Sequence, residues 1–240
     1  MNVFARFPIN TAGRDFAVGD IHGHFTRLEA VLSTAGFDPK VDRLFSVGDL
    51  VDRGPESIDV MRWLNRSWFH PVRGNHEQMA IETARQALDS GMYLHNGGAW
   101  FLALNRDEQQ EYAAQFADLA LAIEVETPSG LVGLVHADCP YGDWNDFRAS
   151  LANGPASERD HIQAVAQWSR SRIDSQTART VPGVRAVVVG HTPVRQPVVL
   201  GNVYHIDTGG WLTDGHFTLL DLHTLETIPP TPAKLAWEDA

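Results

Sequence analysis

Five short segments of this chain combine side chains that bind cations or move protons with side chains that bind anions. They are Gly19-Asp20-Ile21-His22-Gly23, Gly48-Asp49-Leu50-Val51-Asp52-Arg53-Gly54, Arg73-Gly74-Asn75-His76-Glu77, His136-Ala137-Asp138 and Gly190-His191-Thr192. A carboxylate has two oxygens and can bridge two cations, and a guanidinium fork can hold a phosphate through paired hydrogen bonds. Two aspartates, an asparagine and three histidines make a donor set of oxygen and nitrogen only, which suits manganese, iron or zinc better than calcium. Six such ligands with one shared carboxylate match two metals better than one. Paired ions roughly 3.5–4 Å apart acidify a water and steady a phosphorus centre during in-line attack.

The elements that must carry these segments are legible in the apolar pattern. Each segment follows an apolar run: Phe16-Ala17-Val18, Leu44-Phe45-Ser46-Val47, Trp68 to Val72, Leu131 to Val135, and Val184 to Val189. The acidic and asparagine positions 20, 49 and 75 stand 29 and 26 residues apart. A strand–helix–strand unit occupies about 30 residues, so the spacing predicts parallel strands with crossover helices. Ligands at the carboxyl ends of such strands share one crevice.

Between the strands, Leu28, Val31, Leu32 and Ala35 recur at helical spacing. Pro55 suits a helix start, with Ile58, Met61, Trp63 and Leu64 on its apolar side. Residues 91–120 read as a helical insertion broken at Gly97-Gly98, and Thr127 to Gly130 as a hairpin turn. A further helix carries Ile162, Val165, Trp168, Arg170 and Arg172. The β-like runs at 198–200, 203–206 and 217–220 predict a second sheet; the N-terminus reads as a loose start and the proline-rich end as an extended tail.

The remaining sequence narrows the class. The chain has 240 residues, 43% hydrophobic and 20% charged, which is the composition of a globular protein with room for a buried core. The net charge of −11 argues against a broad nucleic-acid or acidic-membrane surface, but bound cations and a few arginines can still favour an anionic substrate locally. The single cysteine, Cys139, rules out an internal disulfide and a thiolate cluster. With no run long enough to span a membrane and no secretion signal at the start, the expected location is the cytoplasm.

Taken in order, GDIHG, GDLVDRG, RGNHE, HAD and GHT resemble the phosphoprotein phosphatase family of binuclear metallophosphoesterases. The similarity extends from about Phe16 to Leu222 and is strongest to the bacterial and bacteriophage-lambda-type serine/threonine phosphatases. It implies an α/β calcineurin-like metallophosphoesterase sandwich of two mixed β-sheets flanked by helices. The expected organisation is a single domain over 1–240 with its core at about 14–222. Asp20 and His22 would hold one divalent metal, Asp49 would bridge, and Asn75, His136 and His191 would hold the other. Manganese is the expected ion, with iron or zinc as alternatives.

Arg53, Arg73 and Arg170 would grip the phosphoryl oxygens, with Arg172 the weaker choice beside Arg170. His76 would protonate the leaving alkoxide and Asp52 would orient it, while a water activated on the metals attacks with no covalent enzyme intermediate. The implied substrate is a phosphorylated protein or peptide, with no nucleic-acid or membrane partner. Two rivals remain: a diadenosine polyphosphate hydrolase on the same scaffold, and a metal-dependent phosphoprotein-binding module without turnover. His24 is expected to support the site through a hydrogen bond, Cys139 to be a buried thiol, and Trp144 to be an anchor or the border of a substrate groove.

Overall fold

The computed structural model describes residues 3–231. Among these described residues, eleven strands build two sheets. β1 (Phe4–Phe7), β5 (Ala122–Thr127), β6 (Gly130–Val135), β7 (Ala186–Val189), β8 (Val198–Leu200) and β9 (Val203–His205) form one sheet in the order β1-β5-β6-β7-β9-β8. The other contains β2 (Asp15–Val18), β3 (Arg43–Ser46), β4 (Phe69–Pro71), β10 (Leu219–Asp221) and β11 (Thr227–Ile228), in the order β11-β10-β2-β3-β4.

Alternate residues of a strand face opposite sides, so both faces of a sheet must be covered when the whole strand is apolar. That happens here. Ala17, Phe45 and Val47 of one sheet meet Val125, Leu134 and Val188 of the other in a shared inner core. The outer faces are covered by helices. Leu28 and Leu32 of Phe25–Thr34, and Met79 and Ile81 of Asn75–Ala84, pack with Phe16, Val18 and Leu44 on one side. Phe147 and Leu151 of Trp144–Asn153, and Ile162 and Ala166 of Ala156–Trp168, pack with Val135, Val187 and Val189 on the other.

β2, β3 and β4 pair in parallel, as do β6 and β7, so all five motif-bearing strands end on one side of the sandwich. The hairpin at Thr127 to Gly130 joins antiparallel β5 and β6.

Four expectations need correcting. The N-terminal stretch is not loose, because β1 pairs in parallel with β5. The three late β runs do not make a sheet of their own. β8 and β9 extend the sheet of β7, whereas β10 lies antiparallel to β2, where Leu220 joins the core between the sheets and Leu219 the helix-covered face. Ile58 lies outside the core at 48% exposure, because the chain after Pro55 first makes a short 3-10 turn, Ser57–Asp59. Trp144 does not border a groove: it is fully buried, and its indole N–H donates to Glu124. The proline-rich end falls largely outside the described residues.

Candidate metal centre

Three of the five strand ends, those carrying residues 19–23, 48–54 and 190–192, turn through unusual backbone. His22, Asp49, Asp52, Arg53 and His191 all have positive φ, between 44° and 70°. The left-handed region costs side-chain-bearing residues energy, least for Asp, Asn and His, and clusters where function over-determines the backbone. Here the bends are held by hydrogen bonds between motifs. The N–H groups of Ile21 and His22 donate to Asp49 O, and Gly23 N–H donates to Leu50 O. Glu77, fully buried, accepts from the N–H groups of Asp49, Leu50 and Gly74 at 2.8–3.0 Å, tying the second motif to the third. Gly74 is required by close approach: a Cβ there would collide with the Asp49 carboxylate.

These turns bring the sequence-designated ligands together. His22, Asp49 and His76 form one group, and Asp49, His136 and His191 a second, with ligand atoms in each within 4.8 Å of one another. Asp49 belongs to both. Its Oδ2 lies 3.7 Å from His22 Nε2 and 3.4 Å from His136 Nε2. Asn75 Oδ1 joins the second group, 2.8 Å from His136 Nε2 and 3.0 Å from His191 Nδ1. Asp20 lies at the edge, where its Oδ1 accepts the His191 backbone N–H. His22 and His136 are oriented through their other ring nitrogens by the carbonyls of Val51 and Val47, the usual support for a metal-binding imidazole.

The electrostatics of the protein alone fit a cation pair. Burial raises the Asp20 carboxyl well above its usual range, and the nearby Asp207 and Asp49 charges add to the effect. Burial pushes Asp49 the same way but is outweighed by His136, His76 and His22, so it stays well below the usual range. Burial lowers His22 well below its ordinary value and His191 to about 3, keeping both imidazoles neutral. Burial also works against a charged His136, but Asp49 overrides it and raises its pKa. Ionised carboxylates and neutral imidazoles are the forms that ligate.

The proton-transfer and anion-binding candidates flank the cluster. His76 Nδ1 lies 2.7 Å from Asp52 Oδ2, leaving Nε2 toward the ligands, where Arg53 Nη2 approaches to 3.0 Å. Arg53 Nη1 also lies 2.6 Å from His22 Nε2. Arg170 is exposed, with Nε donating to His191 Nε2 at 3.4 Å. Arg172 is placed differently: it is buried, paired with Asp138 at 3.0 Å, and donates to the carbonyls of Thr177 and Arg179. Arg73 is buried at 4% exposure, and its side chain makes no hydrogen bond or ion pair among the described residues. His24 Nδ1 bonds the His22 carbonyl at 2.7 Å, and burial pushes the Cys139 thiol up to about 12.

Several partners were not singled out from the sequence. Tyr93 Oη and Trp100 Nε1 both donate to Asp52 Oδ1, at 3.0 and 2.7 Å, so the segment after the third motif holds the His76 partner in place. The Arg53 guanidinium lies over the Trp211 ring at 4.5 Å, and the His22 ring meets the same indole edge-to-face at 4.7 Å. Asp207, 1% exposed and beside Asp20, is pushed by burial up to about 6. The signal for Asp207 was present: Val203 to Ile206 is a sixth apolar run that stops at a carboxylate.

A family model described as calcineurin-like phosphoesterase matches residues 16–195. The chain belongs to the calcineurin-like phosphoesterases. It is therefore a metallophosphoesterase, a hydrolase whose family works with divalent metals, and the buried His/Asp groups are positioned to hold them. It is 36% identical to serine/threonine-protein phosphatase 2 of Escherichia coli (strain K12), covering 81% of this chain and 86% of that one. It is also 36% identical to serine/threonine-protein phosphatase 1 of Salmonella typhimurium, covering 90% of this chain and 95% of the relative. A symmetrical bis(5'-nucleosyl)-tetraphosphatase of Photorhabdus laumondii is 45% identical, but over only 26% of this chain. Among solved structures, a protein serine/threonine phosphatase from Saccharomyces cerevisiae aligns with a TM-score of 0.61 at 17% identity, covering 91% of this chain and 76% of that one, which speaks for the fold.

Proposed function

We propose that this metallophosphoesterase is a protein serine/threonine phosphatase that hydrolyses phosphate monoesters with two divalent cations, manganese foremost, with iron or zinc as alternatives. The observation that carries the reading is Asp49, whose carboxylate is shared by two histidine groups directly beside an aspartate-backed His76. Asp20, His22 and Asp49 would hold one cation, and Asp49, Asn75, His136 and His191 the other. When bound, the pair supplies Lewis acidity and activates water near neutral pH. Arg53, Arg170 and the Nη groups of Arg73 bind the phosphoryl oxygens, where a planar fork outperforms a point charge. His76 Nε2 gives its proton to the serine or threonine oxygen as it leaves. Asp52 orients the ring through Nδ1, and Tyr93 and Trp100 fix Asp52 in turn.

The choice of a phosphoprotein over a dinucleotide is supported by the coverage of the relatives. The two named as protein phosphatases align along most of both chains, whereas the tetraphosphatase similarity spans 64 residues. The test compares turnover of a phosphoserine peptide with that of diadenosine tetraphosphate under manganese. The expected result is preference for the peptide, abolished by chelator. Preference for the dinucleotide overturns the substrate assignment, and release of phosphate from no ester with any of several divalent metals indicates a binding module instead.

A further inference from the structure

The two halves of the metal centre are unequally furnished. In the proposed arrangement the second cation has Asp49, Asn75, His136 and His191, whereas the first has only Asp20, His22 and Asp49. Charge is short as well, because two divalent ions meet just two carboxylates in that set, Asp20 and the shared Asp49.

Asp207 stands at this gap. It follows β9, which pairs in parallel with β7, so its strand ends on the same side of the sandwich as those bearing the motifs. Its backbone runs directly against the first motif: a Cβ on Gly19 would lie 2.7 Å from Asp207 Cα. Its carbonyl accepts the Val194 N–H at 2.8 Å, just past the last motif. The side chain is 1% exposed, with Oδ1 accepting the Gly209 N–H at 3.0 Å and Oδ2 without a partner. The Asp20 carboxylate is within hydrogen-bonding reach of it. Burial does not set Asp207 apart from the ligands, since Asp20 and Asp49 are each 2% exposed and His22 is fully buried. An ion that has reached Asp20 needs no separate path from solvent to its neighbour.

Two carboxylates in contact repel, and in a buried site each is costly to ionise without a positive partner. The ion pairs of the centre belong to Asp49 and Asp52, and among the described residues Asp20 and Asp207 form none. The positive charge that reconciles them must come from outside the chain. The Gly209 N–H on Oδ1 fixes the Asp207 carboxylate and leaves Oδ2 to ligate, the outer support usual for a metal-binding side chain. We propose that Asp207 is a further ligand of the first cation, completing a set of four with Asp20, His22 and Asp49. It rests on the two-cation reading and adds the residue that evens the two sites.

The test reads metal rather than turnover. Manganese is titrated calorimetrically into chelator-stripped wild-type protein, Asp207→Asn and Asp207→Ser, and bound metal is counted by elemental analysis. Asparagine keeps the oxygen that accepts from Gly209 and removes the charge, and serine is smaller and also uncharged. The expected result is two ions in the wild type and, in both variants, one ion weakened about 10–100-fold with the other nearly unchanged. In an Asn75→Ala background, which leaves the first site complete, Asp207→Asn should weaken the ion that remains. In a His22→Ala background it should not. Thermal unfolding supplies an independent sign. Without metal, removing one of two repelling carboxylates should not lower Tm, whereas the rise in Tm on adding manganese should shrink. Unchanged affinity for both ions in Asp207→Asn and Asp207→Ser assigns the shared charge to a proton and overturns the proposal. So does a metal-free Tm that falls in both variants while the manganese-induced rise stays the same, the mark of a purely structural role. Weakening in the His22→Ala background alone places Asp207 with the second ion and overturns it too. Wild-type protein that binds fewer than two ions overturns the two-cation reading and this ligand together.

Discussion

The two flanks of the metal centre are built to opposite specifications. On the His76 side the proton-transfer candidate is held at each link: Nδ1 is held by Asp52, Asp52 is held by Tyr93 and Trp100, and Glu77 clamps the turn below. His76, Asp52 and Glu77 are each at most 1% exposed. On the His191 side, Arg170 and Trp168 stand exposed, His191 is held at 3.0 Å by Asn75, and buried atoms of Arg73 and Gln167 have no partner. A group in the proposed role of proton donor needs one fixed geometry, whereas an exposed arginine can follow the anion it meets. Rigidity and incompleteness divide between the flanks accordingly.

The most severe test of that division is His76→Asn, which should lower kcat by about 10²–10⁴-fold while leaving metal content nearly intact. Asp49→Asn should instead deplete both metals, as read by elemental analysis of the purified variant. Equal metal loss in the two proteins erases the distinction between proton donor and bridge. Next is Arg172→Ala. It strands the buried Asp138 carboxylate and should cost about 3–5 kcal/mol in denaturant unfolding. An unchanged midpoint would mean that Arg172 does not support the open flank from beneath.

Trp100→Phe removes one donor to Asp52 and should lower kcat roughly tenfold with KM unchanged, in line with about 1.5–3 kcal/mol for a hydrogen bond to a charged group. A change confined to KM would place Trp100 with substrate rather than with the proton donor. Arg170→Ala, on the exposed flank, should raise KM severalfold and weaken phosphate inhibition, with little effect on the unfolding midpoint. The smallest effect concerns His70, far from both flanks, whose pKa is lowered by burial, and further by Arg43, to about 4. The unfolded chain binds that proton near pH 6.5, so His70 contributes stability above 6.5 that is lost as the pH falls toward 4. His70→Phe, which keeps the contacts with Phe7 and Phe45, should flatten the acid limb of a Tm-versus-pH curve measured in chelator. An identical limb in both proteins would remove His70 as a contributor.

The legible and illegible parts of the molecule follow the same divide. The convergence of Asp49, Asn75, His136 and His191 could be read because side chains at the ends of parallel strands share one crevice, and such strands repeat at a fixed spacing. The two-layer strand architecture was legible for the same reason. Tyr93 and Trp100 could not be read, since a side chain that hydrogen-bonds a carboxylate from a separate helix leaves no periodic mark. Trp144 and Trp211 show the limit well: identical residue types end up in the core beside Phe4 and Glu124 and against Arg53, decided by packing partners distant along the chain. β10 was assigned to the wrong sheet because apolar alternation reports burial, not the neighbour that provides it.

The shared use of Asp49 also orders events in time. Its partners on one side, His22 and His76, emerge early in synthesis, whereas His136 and His191 arrive only with the second half of the polymer. Before His191 is added, a growing chain carries the first group complete and the second without its last histidine, so the two halves of the cluster become available in chain order.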